Sequence, residues 1–123
     1  MDYSEEMIER ARQFQRQTGI VNVKFCVGDF EDLHFKSETF DTVITMRSIT
    51  NLPSWQSQRR AISELIRVLR QGGRLLMSEP SQPGLARLNR TRAAFRLQPI
   101  PPPWYNLYFD DEVLLGFIPI KER

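Results

Sequence analysis

Two short apolar runs organise the chain. Val23–Val27 and Thr42–Met46 are rich in β-branched residues and too short for helices, so both read as buried strands. A helical pattern precedes them. Met7, Ile8, Ala11 and Phe14 recur at helical spacing, with Arg10, Arg12, Gln13 and Arg16 pointing to water. Ser4 is placed to cap this helix, Glu5 and Glu6 suit its positive end, and Gly19 stops it. Between the two runs, residues 31–39 are charged and aperiodic, which predicts a loop, and His34 reads as a loop residue. After the second run, Asn51-Leu52-Pro53 breaks the chain and Ser54 opens a second helix. Ala61, Ile62, Leu65, Ile66, Val68 and Leu69 form its apolar face, while Gln58, Arg59, Glu64, Arg67 and Arg70 lie mostly outside it. Gly72-Gly73 is expected to end this helix, and Arg74–Ser78 to form a third strand. Helix and strand thus alternate as in an α/β, doubly wound parallel sheet.

From Glu79 onward the pattern weakens. Pro80, Pro83 and Gly84 mark a loop, and residues 85–97 read as a basic helix with Leu88, Ala94 and Phe95 as its apolar positions. The proline-rich stretch after Gln98 cannot be helical in its first half. Trp104, Tyr105, Tyr108 and Phe109 need a packing partner: they either seal the open end of the sheet or line a substrate pocket. Residues 110–115 predict one further helical turn and residues 116–120 a terminal strand fragment. No repeats occur. Residues 1–80 read as the sheet-and-helix core, and residues 81–123 as a C-terminal, substrate-side segment of the same domain.

Composition narrows the class without naming a chemistry. A chain of 123 residues is one domain or somewhat less, and its hydrophobic share of 41% and charged share of 26% are ordinary for a soluble protein. Seventeen Lys and Arg against 15 Asp and Glu leave a net charge of +2. The arginines between Arg87 and Arg96 therefore read as a solvated helix face, and no nucleic-acid partner is expected. Cys26 stands alone within an apolar run, so it is read as a core thiol. No apolar run approaches the ~20 residues of a membrane span. The acidic, amphipathic start is not a signal peptide, and the Asn89-Arg90-Thr91 sequon reads as chance. A cytoplasmic protein without a membrane partner is expected.

The chemistry should lie where strands end in polar loops. The first run opens into Gly28-Asp29-Phe30-Glu31-Asp32-Leu33-His34-Phe35, and the second enters through Phe40-Asp41 and leaves through Met46-Arg47-Ser48. Together these resemble the third- and fourth-strand signatures of class I S-adenosylmethionine-dependent methyltransferases of the type 11/25-like kind. Asp2-Tyr3-Ser4-Glu5-Glu6-Met7 is similar to the end of that family's second strand. Leu69-Arg70-Gln71-Gly72-Gly73 is similar to its turn into the fifth. The likeness runs from Asp2 to Ser78. His34 and Gln71 stand where relatives carry proline, and Thr50 and Asn51 where they often carry histidines.

The resemblance implies a site. Asp2 would accept hydrogen bonds from the ribose hydroxyls and Tyr3 would pack near the adenine. Gly28 would permit a tight turn, Asp29 would accept from the adenine amino group, and the Phe30 amide would reach a ring nitrogen. Met46 would line the methionine end, with Arg47, Glu79, Tyr105 and Tyr108 toward the substrate. Read without the resemblance, Asp2 is an acid before a helix, Gly28-Asp29 is a turn, and Glu79 is a cap or a solvent-exposed acid. Methyl transfer from a sulfonium needs positioning more than proton transfer, so no metal is expected and no catalytic residue is assigned. The tail, with Pro99-Ile100-Pro101 and Trp104-Tyr105-Asn106, is similar to sugar and polysaccharide methyltransferases, which implies a small-molecule or glycan acceptor.

Two expected parts are missing: the glycine-rich loop and the first strand, which in the family lies between the second and fourth. The expected architecture is therefore a partial Rossmann-like sheet flanked by helices, from a truncated reading frame or a natural remnant. Its open edge should re-pair, dimerise or aggregate, so self-association is an expected partner interaction, and cofactor binding should be weak or absent. Three functions compete: a methyltransferase fragment, a non-catalytic binding module, and a nicotinamide-dependent Rossmann enzyme. The last gives no account of Asp29 followed by the Phe40-Asp41 strand.

Overall fold

The structure, a computed structural model, describes residues 1–118. Helix α1 (Glu5–Thr18) is followed by an extended but irregular segment, then β1 (Phe40–Met46), a 3-10 turn (Ile49–Asn51), α2 (Trp55–Val68), β2 (Leu69–Ser78), α3 (Gln82–Ala94) and α4 (Asp111–Phe117). Strands β1 and β2 pair in parallel, and α2 supplies the crossover between them. This is an α/β fold: a partial Rossmann-like parallel sheet with helices against it.

Helix ends follow side-chain chemistry. Ser4, Ser54 and Ser81 each accept a backbone N–H of the first turn, and Gly19 closes α1 in the left-handed conformation. The pleat of the two strands then separates a dry face from a wet one. Val43 and Leu75, with Met77, pack toward the core formed by Leu33, Ile49, Ala61, Ile62, Leu65, Val68 and Phe109. Ile44, 69% exposed, and its register partner Leu76 lie on the opposite face. Thr45 is buried on the inner side, and its hydroxyl has no partner among the described residues. Glu64 and Arg67 fasten the residue 31–39 loop to α2. Glu64 accepts the Leu33 N–H, and Arg67 donates to the Leu33 and Phe35 carbonyls as well as to Glu64.

Several expectations are corrected. Val23–Val27 is no buried strand: only Val27 forms a bridge, parallel to Asp2, and Val23 and Val27 are exposed. Side chains of α1 take its carbonyls, Gln15 donating to Val23 and Arg12 to Phe25, so a ladder has little to pair with. Cys26 is accordingly half-buried rather than a core thiol. Gly72-Gly73 does not end α2, which stops at Val68. The pair sits in a bulge of β2, where the register jumps between Phe40 and Thr42. Gly72 needs its positive φ of 75° there. A Cβ on Gly73 would come within 2.9 Å of the Arg70 and Asp41 carbonyl oxygens. Helix α3 begins at Gln82, earlier than its apolar positions suggest, because Ser81 caps it and Pro83 suits its first turn. None of its residues is buried, and Leu88 and Phe95 face solvent. Only Ile8 of the predicted α1 face is buried. Gly116 and Phe117 belong to α4 rather than a strand; residues 119–120 of that expectation lie outside the described residues. Among those described, no helix is long and apolar enough to cross a membrane.

Candidate functional site

Three stretches distant in sequence form the two walls of a cleft of about 570 Å³. Met1–Tyr3 and Asp29–Glu31 make one wall; Met46–Ser48 with Asn51 and Leu52 make the other.

The first wall is a backbone clasp. Asp2 donates its N–H to the Cys26 carbonyl at 3.2 Å, and Gly28 donates back to the Asp2 carbonyl at 3.0 Å. The Met1 side chain lies over Gly28, so that a Cβ there would come 2.3 Å from its sulfur and the flexible Met1 side chain would have to move aside. The two acids then repeat one local geometry. Asp2 Oδ1 accepts the Ser4 N–H at 2.8 Å, and Asp29 Oδ1 accepts the Glu31 N–H at 2.8 Å. These i-to-i+2 bonds are Asx turns, and they fix each carboxylate by one oxygen. Each Oδ2 has no partner among the described residues. Both acids are exposed, and Tyr3 beside them is 78% exposed.

The second wall is built from beneath. Arg47 leaves β1 with φ 52°, the left-handed region that non-glycine residues rarely occupy. Its N–H donates to the Ser78 carbonyl at 2.9 Å, and the Asn51 side-chain amide donates to its carbonyl at 3.1 Å. Glu79, at the end of β2, holds the following turn. It accepts the backbone N–H groups of Ser48, Ile49 and Thr50 at 3.0, 3.3 and 3.4 Å, and the Thr50 hydroxyl at 3.2 Å. A carboxylate at the start of a helical turn satisfies amides that the turn itself leaves unpaired. Gln58, only 1% exposed, donates to the Leu107 carbonyl at 2.8 Å and the Ile49 carbonyl at 3.4 Å. Leu107 in turn donates to the Thr50 carbonyl at 2.8 Å, and Asn106 donates to the Asn51 side chain. The C-terminal segment is therefore stitched to the turn that shapes the cleft.

Six residues singled out in the sequence meet here: Asp2, Tyr3, Asp29, Phe30, Met46 and Arg47 all line the cleft. Gly28 lies behind them under Met1. Glu79 is beside the cleft but outside its lining, with both oxygens bonded to the turn. Tyr105 and Tyr108 lie elsewhere: Tyr105 stacks edge-on against Trp104, and Tyr108 lines a groove beside α3. Glu31, Ser48 and Asn51 are lining residues that the sequence reading did not assign to the site. Gln58 was placed on the outer face of α2, yet it precedes Ala61, Ile62 and Leu65 by three, four and seven positions, the spacing of one helix face. Thr50 is buried with its hydroxyl turned to Glu79, whereas Asn51 reaches the cleft.

The volume lies within the range of small-molecule sites, and the two free carboxylate oxygens are acceptors placed for a ligand rich in hydroxyl and amino donors. A nucleoside fits that donor set. A parallel strand pair joined by a helix, with a cleft at the carboxyl ends of its strands, is the layout of Rossmann-like α/β folds.

Comparison with known proteins agrees. The chain matches the family model described as a methyltransferase domain over residues 1–101, and it belongs to that family. The uncharacterised methyltransferase YcgJ of Bacillus subtilis (strain 168) is 36% identical over 83 residues, 68% of this chain and 32% of that protein. Its crystal structure superposes with a TM-score of 0.60 at 29% identity, covering 73% of this chain and 39% of that one. The ubiquinone/menaquinone biosynthesis C-methyltransferase UbiE of Cronobacter sakazakii is 32% identical over 101 residues, 81% of this chain and 39% of that protein. A phosphatidylethanolamine N-methyltransferase of Cereibacter sphaeroides is 37% identical over 78 residues, 63% of this chain and 37% of that protein. The chain thus spans between 32% and 39% of the length of these curated relatives.

Proposed function

We propose that the cleft binds S-adenosylmethionine and that the chain serves methyl transfer to a small-molecule acceptor. The observation that carries this reading is the matched pair of acids. Asp2 and Asp29 each give one oxygen to a backbone turn and keep the other free over the same cleft. Asp2 would hold the ribose hydroxyls, Asp29 the adenine amino group, and Tyr3 and Phe30 the faces of the base. The bound cofactor supplies an electrophilic methyl carbon on a sulfonium. The chain's part is to orient: the Glu79-held turn sets Met46, Arg47 and Ser48 opposite the acids, so an acceptor would enter along that wall. Relatives named for quinone C-methylation and for phospholipid N-methylation differ in acceptor atom, so the acceptor class follows from neither.

Titration calorimetry with S-adenosylhomocysteine tests the reading. Binding is expected, and Asp29→Asn should weaken it at least tenfold, as expected when a hydrogen bond to a charged group is lost. Absence of binding by the wild-type chain would overturn it.

A second reading has its own observation. Among the described residues β1 pairs only with β2, which leaves its outer edge open beside a groove lined by Cys26, Val43 and Thr45. On that reading the chain works as one part of an assembly, with a strand from a second copy against this edge. Light scattering after size exclusion decides it: a monomer at all concentrations would rule out pairing between copies.

A further inference from the structure

Away from the cleft, one stretch of surface mixes cations with apolar side chains. Between Glu79 and Asp110 the chain carries Arg87, Arg90, Arg92 and Arg96 and no acid, so all 15 Asp and Glu lie elsewhere. None of these arginines forms an ion pair among the described residues, and Arg87, Arg90 and Arg96 are exposed. Large apolar side chains stand open beside them. Trp104 is 94% exposed and Phe95 73%, and Leu88, Leu97, Ile100 and Tyr105 are exposed as well. Backbone bonds join these residues into one platform. Leu97 donates its N–H to the Arg92 carbonyl, and the Arg92 side chain donates to the Gln98 carbonyl at 2.9 Å. Asn89 donates to the Ile100 carbonyl at 2.9 Å and accepts its N–H at 2.8 Å, and Pro102 shares a groove with Leu85 and Ala86. The proline-rich segment is thus folded back along α3. Leu88 and Phe95, seven positions apart, fall on one side of the helix, with Arg92 between them. Single exposed apolar residues are ordinary, but a contiguous group rimmed by charge marks a contact surface.

We infer that this platform docks on the surface of an anionic phospholipid bilayer. Arginine spacing alone reads as a solvated face; the apolar neighbours change the partner. Lipid phosphates pair with guanidinium groups through two parallel hydrogen bonds. Trp104 and Tyr105 suit the headgroup level, being apolar rings with a polar edge, and Leu88, Phe95 and Leu97 suit the acyl boundary. A nucleic acid would take the arginines and stack on the rings, but it offers nothing to Leu88, Leu97 and Ile100. A protein partner would need a counter-surface shaped to the platform, whereas a bilayer needs only the mixture of cations and apolar groups. The platform lies outside the lining of the cleft, so the inference does not depend on the cofactor reading.

The test sediments the chain with vesicles of phosphatidylglycerol and phosphatidylcholine in equal parts, and with vesicles of phosphatidylcholine alone. The wild type should bind the mixed vesicles at least about tenfold more tightly, and added salt should erode that preference. Tryptophan emission should shift to the blue on binding. Trp104→Phe should keep the sedimentation and lose the shift, although Trp55 remains. Combined Arg87→Gln, Arg90→Gln and Arg96→Gln should cut the preference below about twofold. Arg92 is left in place because it holds the Gln98 carbonyl. All the altered side chains are exposed, so circular dichroism should match the wild type. Absence of sedimentation with the mixed vesicles overturns the inference, as does equal binding to both kinds. A preference that survives the triple arginine change places the contact elsewhere and overturns it too. So does a blue shift that persists in Trp104→Phe, since Trp55 would then be the residue that moves. A mixed-sequence oligonucleotide bound as tightly as the mixed vesicles would assign the platform to nucleic acid instead.

Discussion

The two walls of the cleft are made in different ways. The Met46–Leu52 wall grows out of the densest part of the molecule: β1 ends above the core, and Glu79 and Gln58 pin the turn through buried or half-buried bonds. The Asp2–Asp29 wall is a clasp at the surface. It depends on two backbone bonds, on Arg12 and Gln15 reaching the Val23–Val27 carbonyls, and on a helix with Ile8 as its one buried residue. One wall is preorganised by packing; the other is held by polar contacts open to water. Local stability should follow that division, with the acid wall opening at lower free energy than the strand wall. Ligand binding would then tighten the clasp most, because bonds across the cleft add to the side that has fewest.

The largest test of this contrast is a pair of truncations. Ile62→Ala, at a fully buried site of the main core, should cost about 2–5 kcal/mol in denaturant unfolding. Trp55 is the reporter, because Trp104 is 94% exposed and changes little on unfolding. Ile8→Ala should leave the Trp55 transition almost unmoved while hydrogen exchange in α1 accelerates. If both substitutions lowered the Trp55 midpoint equally, the walls would form one cooperative unit and the contrast would be wrong.

A smaller effect is expected from Glu79→Gln. The variant keeps one acceptor but loses the charge that serves three backbone amides and the Thr50 hydroxyl. Loss of about 1–2 kcal/mol is expected, the scale of hydrogen bonds to a charged group. On the proposed cofactor reading, affinity for S-adenosylhomocysteine should fall through the displaced Met46–Ser48 wall, the Asp2–Asp29 wall being left unchanged. Hydrogen exchange at Ser48–Thr50 separates this from direct ligand contact, since only a carboxylate that caps the turn protects those amides in the free chain.

The strand wall was the more legible part of the sequence. Thr42–Met46 and Arg74–Ser78 carry dense apolar pattern, and α2 shows its face plainly, because burial by a sheet leaves a periodic record. The acids at the tips, Asp2 and Asp29, were legible only as short motifs in a longer spacing. Val23–Val27 was misread for a physical reason. β-branched composition fits an extended chain, but a strand also needs a neighbour, and here side chains from α1 occupy the carbonyls. The Gly72-Gly73 pair has two uses in principle, and only the register between β1 and β2 chooses the bulge over the helix stop. Glu79 was legible as a cap, though not the turn it caps, and Gln58 escaped notice as a support because its partners are backbone carbonyls distant in sequence, which leave no residue signature.

The smallest predicted effect concerns the loop that connects the walls. Hydrogen bonding from Arg67 holds the Glu64 carboxyl below its ordinary value near 4.5, with the Leu33 amide acting in the same direction against the opposing effect of burial. The unfolded chain therefore takes up this proton at higher pH than the folded one. The contribution to stability is complete above about pH 4.5 and is lost as pH falls through the lowered native value. Both side chains remain partly open to solvent, so the effect should be about 1 kcal/mol or less. Glu64→Gln should flatten the acid limb of a stability-versus-pH curve by that amount. The curve should be followed by urea titration at fixed ionic strength. Because Arg67 also donates to Leu33 and Phe35, the variant should keep the loop in place at neutral pH. A larger change would mean that Glu64, through Leu33, carries load for the core as well as for the Asp29–Glu31 wall.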